Sequence, residues 1–136
     1  MTRAFALALP ALAVLALAGP VAAEDCTTLA TQLEMNQCAG RNFDAADTAL
    51  NQTWRAVTAR LAGDAAGLGK LKAAERAWVA FRDAECTFQS MGVEGGSIYP
   101  MIWTECRETL TRERAATLQG YLACEEGDLP CPLPPQ

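Results

Sequence analysis

The stretch from Phe43 to Leu61, FDAADTALNQTWRAVTARL, decides the fold. Its apolar residues Phe43, Ala46, Leu50, Trp54, Val57 and Leu61 recur at steps of three and four. At 3.6 residues per turn that spacing gathers them on one face of an α-helix. Upstream, Leu33, Met35 and Cys38 sit either on a separate short helix, with Asp44 capping the longer one, or on the same helix running from about Thr31. Gly63-Asp64 ends the pattern, and Gly67 and Gly69 are expected to keep the next connection loose.

Two further stretches carry the same period. Leu68, Leu71, Ala74, Trp78, Phe81 and Phe88 form an apolar stripe, with Lys70, Lys72, Glu75, Arg76 and Asp83 assigned to the outer face. A glycine-rich loop, Gly92-Val93-Glu94-Gly95-Gly96-Ser97, follows, with Pro100 close behind. The third helix is expected from about Met101 to Leu122 on Ile102, Trp103, Cys106, Leu110, Leu118 and Tyr121. From Glu125 the prolines forbid a further helix. No strand-like alternation and no internal repeat stands out. The fold class read from this pattern is all-α: a small, disulfide-stapled antiparallel helical bundle with about three main helices.

The first residues describe an export signal. Met1-Thr2-Arg3 supplies a positive charge, Ala4 to Ala18 is almost wholly Ala, Leu, Val and Phe, and Gly19-Pro20 precedes the small residues Val21-Ala22-Ala23. The apolar run is about 15 residues against the ~20 that span a bilayer, so a cleaved signal over 1–23 is expected rather than an anchor. Cys26 follows Glu24-Asp25 and not a small-residue box, so no lipid anchor is expected. The main domain then runs over 24–122, with an acidic, Pro-rich tail over 123–136. Loss of Arg3 with the signal leaves ten basic against sixteen acidic residues. Such a balance disfavours nucleic acid and anionic lipid and attracts cationic partners.

All six cysteines, Cys26, Cys38, Cys86, Cys106, Cys124 and Cys131, lie beyond the signal. An even set there reads as a disulfide framework in an oxidising compartment, periplasmic or secreted. Pairing of nearest neighbours is expected. One bond flanks the first short segment, one clamps the glycine-rich loop, and one pins the tail to the last helix. The chain has no histidine and no Cys-x-x-Cys, which argues against a metal site and against thiol redox chemistry.

Catalysis finds little support. Without histidine, Ser-His-Asp and Cys-His schemes are excluded. Ser90 and Ser97 are the only serines, and neither sits in a G-x-S-x-G elbow. Gly95-Gly96-Ser97 lacks the spacing and lysine of a phosphate loop. The carboxylate pairs Asp83/Glu85 and Glu105/Glu108 read as solvated helix charges rather than as a glycosidase pair. No enzyme, cofactor or metal is implied. Arg82, Arg114 and Asp47 lie beside or on the apolar stripes, so a structural ion pair is expected between Asp47 or Glu85 and Arg82 or Arg114.

These residues together resemble a known family. Cys26 followed by Glu34-Met35-Asn36-Gln37-Cys38 is similar to its opening, and Asp47-Thr48-Ala49-Leu50-Asn51 resembles its D-x-x-L-N element. Trp78 to Cys86, WVAFRDAEC, resembles its W-x-x-[FY]-R-D-x-x-C signature, followed in order by Gly95-Gly96-Ser97, Cys106, Leu110-Thr111-Arg112-Glu113-Arg114 and Leu118. The pattern is that of the LprI-like lysozyme inhibitors, small exported bacterial helical domains, and it covers about Cys26 to Leu122. The chain departs from it in lacking a lipidation cysteine and in carrying the tail from Cys124 to Gln136.

The resemblance implies an exported protein that binds and inhibits lysozyme. The other reading is a non-catalytic cell-envelope interaction module without inhibitory activity. An acidic binder would be steered toward a basic lysozyme. The loop from Gly92 to Pro100, with Glu94, Ser97 and Tyr99, is the candidate partner-binding segment, a reading that comes from the loop's position and not from a family motif. No membrane insertion after cleavage is expected, and the pattern fixes no oligomeric state.

Overall fold

The computed structural model describes residues 22–125 and 127–133; the expected signal segment falls almost wholly outside the described residues. Three helices make the body: α1 (Gln32–Arg60), α2 (Ala65–Ser90) and α3 (Tyr99–Leu122). Short 3₁₀ turns at Cys26–Thr28 and Met91–Val93 precede α1 and follow α2. No strand occurs among the described residues.

Helix α1 is one piece. Thr31 caps it: its hydroxyl accepts from the Glu34 backbone N–H at 3.2 Å, and the Glu34 carboxylate accepts from the Thr31 N–H at 3.0 Å. Asp44 is therefore an exposed mid-helix residue and not a cap, because neither Gly40 nor any proline interrupts the chain before it. Asp64 starts α2 by accepting from the Gly67 N–H at 2.9 Å. A Cβ on Gly67 would crowd the Asp64 carboxylate in its present rotamer, which glycine leaves free to cap the helix. Gly67 and Gly69 thus belong to α2 rather than to a loose connection. Pro100 occupies the first turn of α3, where its missing N–H leaves no bond unmade.

The path is up–down–up. Residue numbers rise together along α1 and α3, with Met101 against Cys38 and Leu118 against Leu50 and Val57. They run oppositely along α2 and α3, where Cys86 joins Cys106 and Glu75 meets Arg114. One apolar cluster, Leu50, Val57, Leu61, Leu118 and Leu133, closes the lower end, backed by Trp54, Leu71 and Trp78. A smaller one, Cys26, Cys38, Ala39 and Met101, closes the upper end. Leu133 comes from the tail, which turns back from the Cys124–Cys131 bond to place it in the core.

Three disulfides staple this frame, Cys26–Cys38, Cys86–Cys106 and Cys124–Cys131, with Cα–Cα distances of 5.6, 5.5 and 5.7 Å. All lie within the range that a relaxed bridge spans. Among the described residues no helix is long and apolar enough to cross a membrane.

Candidate functional site

The glycine-rich loop joins α2 to α3 at the upper end of the bundle. Its backbone is held at each step. Ser90 turns its hydroxyl onto the Cys86 carbonyl at 2.7 Å, ending α2. The N–H groups of Glu94, Gly96 and Tyr99 then donate to the carbonyls of Met91, Val93 and Gly96. Gly95 has φ +78°, a left-handed conformation that glycine adopts without strain. From the neighbouring helix, the Asn36 amide donates to the Ser97 carbonyl at 3.1 Å. The Cys86–Cys106 bond ties the two helix ends beneath it. This loop is built as a fixed projection, since its ordering is already accomplished before any partner arrives.

Glu94 and Ser97 are exposed on it, and Tyr99 is half-buried where α3 begins. The side chains of Phe88 and Met91 beside the loop are largely in water, at 67 and 61% exposure, and Ile98 is 38% exposed. Hydroxyls, one carboxylate and apolar groups are thus offered together on a rigid support.

Below the loop, the middle of the bundle is filled by arginines and aromatic rings instead of aliphatic side chains. The Arg107 guanidinium lies between the rings of Phe43 and Trp103, 4.2 and 4.3 Å from their centres. Arg82 stands 5.2 Å from the Trp78 ring and 5.7 Å from Phe43. Both positions suit a cation over an aromatic face. Asp83 serves both arginines, at 2.8 Å from Arg82 and 3.4 Å from Arg107. Burial, with the Arg82 charge adding to it, pulls the Arg107 pKa below the ordinary arginine value, while Asp83 and Asp47 oppose the shift. Arg114 meets Glu75 of α2 through two nitrogens at 2.8 and 2.9 Å.

The ion pairs differ from those expected in the sequence. Arg82 binds Asp83, and Arg114 binds Glu75 across the helices. Asp47 instead accepts from the Asn51 amide, and Glu85 from Gln89, each one turn along its own helix. The reason is rotational: Arg82 occupies the buried face of α2, which turns Glu75 and Asp83 inward and carries Phe81, at 54% exposure, out to water. Glu75 and Asp83 are therefore not outer-face charges, and Phe81 and Phe88 are not core. The sequence did hold a signal for the stack that its apolar stripes hid. Trp78-x-x-x-Arg82 and Trp103-x-x-x-Arg107 repeat one spacing in two helices, and four residues place a guanidinium over the preceding ring.

Glu105, on α3 next to Cys106, has its pKa raised, mainly by burial and then by the Glu108 carboxylate beside it. Glu108 itself is buried and neutralised by Arg112 one turn on. Among the described residues no cluster of acidic, thiol or imidazole groups is arranged to hold a metal ion.

Fold and loop together define a class: a small three-helix protein, clamped by disulfides, that presents a braced surface loop. Comparison with protein families then places it more narrowly. Residues 22–118 match the family described as lysozyme inhibitor LprI, and the chain belongs to that family. A curated relative, an uncharacterized protein of Rhizobium meliloti (strain 1021), is 35% identical over 113 residues, covering 75% of this chain and 81% of the relative. No solved structure matches.

Proposed function

We infer that this protein is exported and binds and inhibits lysozyme through the loop between α2 and α3. Family membership carries the inference, and the three disulfides are consistent with an oxidising compartment outside the cytosol. The signal over 1–23 supplies the route, and the acidic balance of the chain supplies long-range attraction toward a basic enzyme.

At contact the loop's chemistry suits a glycosidase cleft that holds a pair of carboxyl groups. The hydroxyls of Ser97 and Tyr99 donate to such oxygens, whereas the Glu94 carboxylate is repelled by them and is suited to a basic rim. The rigid backbone keeps the ordering cost small. Inhibition on this account is occlusion, with no bond made or broken. The test is clearing of a bacterial suspension by a c-type lysozyme, with and without the oxidised protein. The Ser97→Ala/Tyr99→Ala variant is expected to lose inhibition while keeping its melting temperature. A double variant that inhibits as well as the parent would move the contact off this loop.

A further inference from the structure

Helix α2 carries two apolar stripes, about a third of a turn apart around its axis. One carries Leu71, Trp78, Arg82 and Cys86 into the bundle. The other carries Ala74, Ala77, Phe81, Ala84 and Phe88, continued by Met91 in the following 3₁₀ turn, and every one of these is exposed. Phe81, Phe88 and Met91 keep 54, 67 and 61% of their surface in water. The positions step by three and four, so they line up as one strip about 26 Å long at 1.5 Å per residue. No charged residue interrupts the strip. Contiguous exposed apolar strips of this kind mark interaction sites.

The order of sizes along the strip says what fits it. We propose that α2 pairs with α2 of a second copy of this chain, antiparallel, about a two-fold axis between Phe81 and Ala84. In that register Phe81 faces the partner's Ala84, Phe88 faces the partner's Ala77, and Met91 faces the partner's Ala74. Each large side chain meets a small one, which is the condition for close helix packing. A parallel pairing in register sets phenylalanine against phenylalanine and leaves gaps between the alanines.

Charge points the same way. Exposed Lys70 borders the strip at the start of α2, whereas Glu85 and the exposed Glu94 lie towards its far end and the loop. Lys72 and Arg76 lie on the other side of the helix, in a groove with Trp54. Antiparallel pairing brings the basic end of one helix to the acidic end of the other; parallel pairing opposes like charges. A self-complementary patch around a two-fold axis is also the commonest way that identical chains associate. With its flanking side chains, the strip covers on the order of 500 Å² per chain, or about 1,000 Å² per pair, at the lower limit for a specific interface. The pair is accordingly a reversible dimer in the micromolar range, about 1–50 μM.

The experiment is sedimentation velocity of the purified oxidised protein over a concentration series from about 1 to 500 μM. The parent is expected to shift from monomer to dimer across the series. Phe81→Glu/Phe88→Glu, both at exposed positions, is expected to stay monomeric with unchanged helix content and melting temperature. Ala84→Glu provides the same readout should that pair disturb folding. The register is read by a size swap. Ala77→Phe enlarges the apolar strip yet weakens the dimer about tenfold, and Ala77→Phe/Phe88→Ala restores it. A parent that stays monomeric throughout overturns the proposal. So does dimerisation that survives the glutamates, or an Ala77→Phe variant that associates more tightly.

Discussion

Arg82 and Phe81 are neighbours in sequence, and the fold treats them opposite to their chemistry. The arginine is 6% exposed and the phenylalanine 54%. Hydrophobicity alone puts Phe81 inside, and only the ring of Trp78 four residues back, together with Phe43 and Asp83, makes the buried guanidinium tolerable. Arg82→Ala is accordingly expected to cost about 2 kcal/mol, since it takes from Trp78 its nearer cation, from Phe43 one of its two, and from Asp83 its nearer partner. The half-exposed Asp83 keeps the loss below that of a fully buried pair. Phe88→Ala, in dilute protein, is expected to change stability by no more than about 0.5 kcal/mol. Urea unfolding of both variants checks the pair. If the phenylalanine proves the costlier of the two, the helix rotation described for α2 is wrong.

Glu105 adds a pH dependence at the same scale. Its pKa is raised in the folded protein, so the folded state binds its proton more tightly than the unfolded state does. The burial penalty is absent below the unfolded value of about 4.5 and is fully present once pH has risen through the folded value. Glu105→Gln is therefore expected to raise the melting temperature at pH 7 and to make no difference near pH 4. Parallel melts at the two pH values decide it. A gain that persists unchanged at the acid end would mean that charge burial is not the cause.

Among the elements, periodicity served best where one face alone is apolar. The stripe from Phe43 to Val57 lies within α1, with Leu61 as its C-cap, and the expected third helix lies within α3. Boundaries were legible where a cap is coded locally, as in Thr31 with Glu34, and ambiguous where two caps competed. In α2 the period was right and the face half right: Leu68, Leu71 and Trp78 pack on the core whereas Phe81 and Phe88 do not, because the helix has two apolar stripes and sequence does not say where the bundle's cover ends. The tail was the least legible element. Its prolines exclude a helix, but nothing local tells that Leu133 docks beside Val57, Leu61 and Leu118 while Leu129 stays 97% exposed. Leu133→Ala is expected to cost about 2–3 kcal/mol, as for other buried leucines, whereas Leu129→Ala costs almost nothing. Chemical denaturation that showed both to be neutral would detach the tail from the core.

For the whole molecule, the arrangement separates stability from recognition. Disulfides, two apolar clusters and an arginine–aromatic middle hold three helices, and the loop they brace leaves Glu94 and Ser97 exposed and Tyr99 half-buried. The loop was legible as a segment from its glycines and flanking cysteines. Its bracing was not, because the Asn36 contact joins residues 61 apart in the chain. The family signature falls mostly on the frame: Trp78, Arg82, Asp83 and Cys86 build the bundle, so they report the fold more directly than the contact surface. That is why the lysozyme reading has to be tested by binding.

The most direct test mixes the purified oxidised protein with a basic c-type lysozyme and follows clearing of a bacterial suspension, at low and at physiological ionic strength. Charge attraction between an acidic and a basic protein fades over a Debye length of about 8 Å at physiological salt. Slowed clearing is expected at both ionic strengths, because contacts made by the loop outlast the screening of long-range attraction. Inhibition confined to low salt would reduce the interaction to nonspecific charge pairing. Unimpeded clearing at both, with this and other classes of lysozyme, would contradict the proposed function outright.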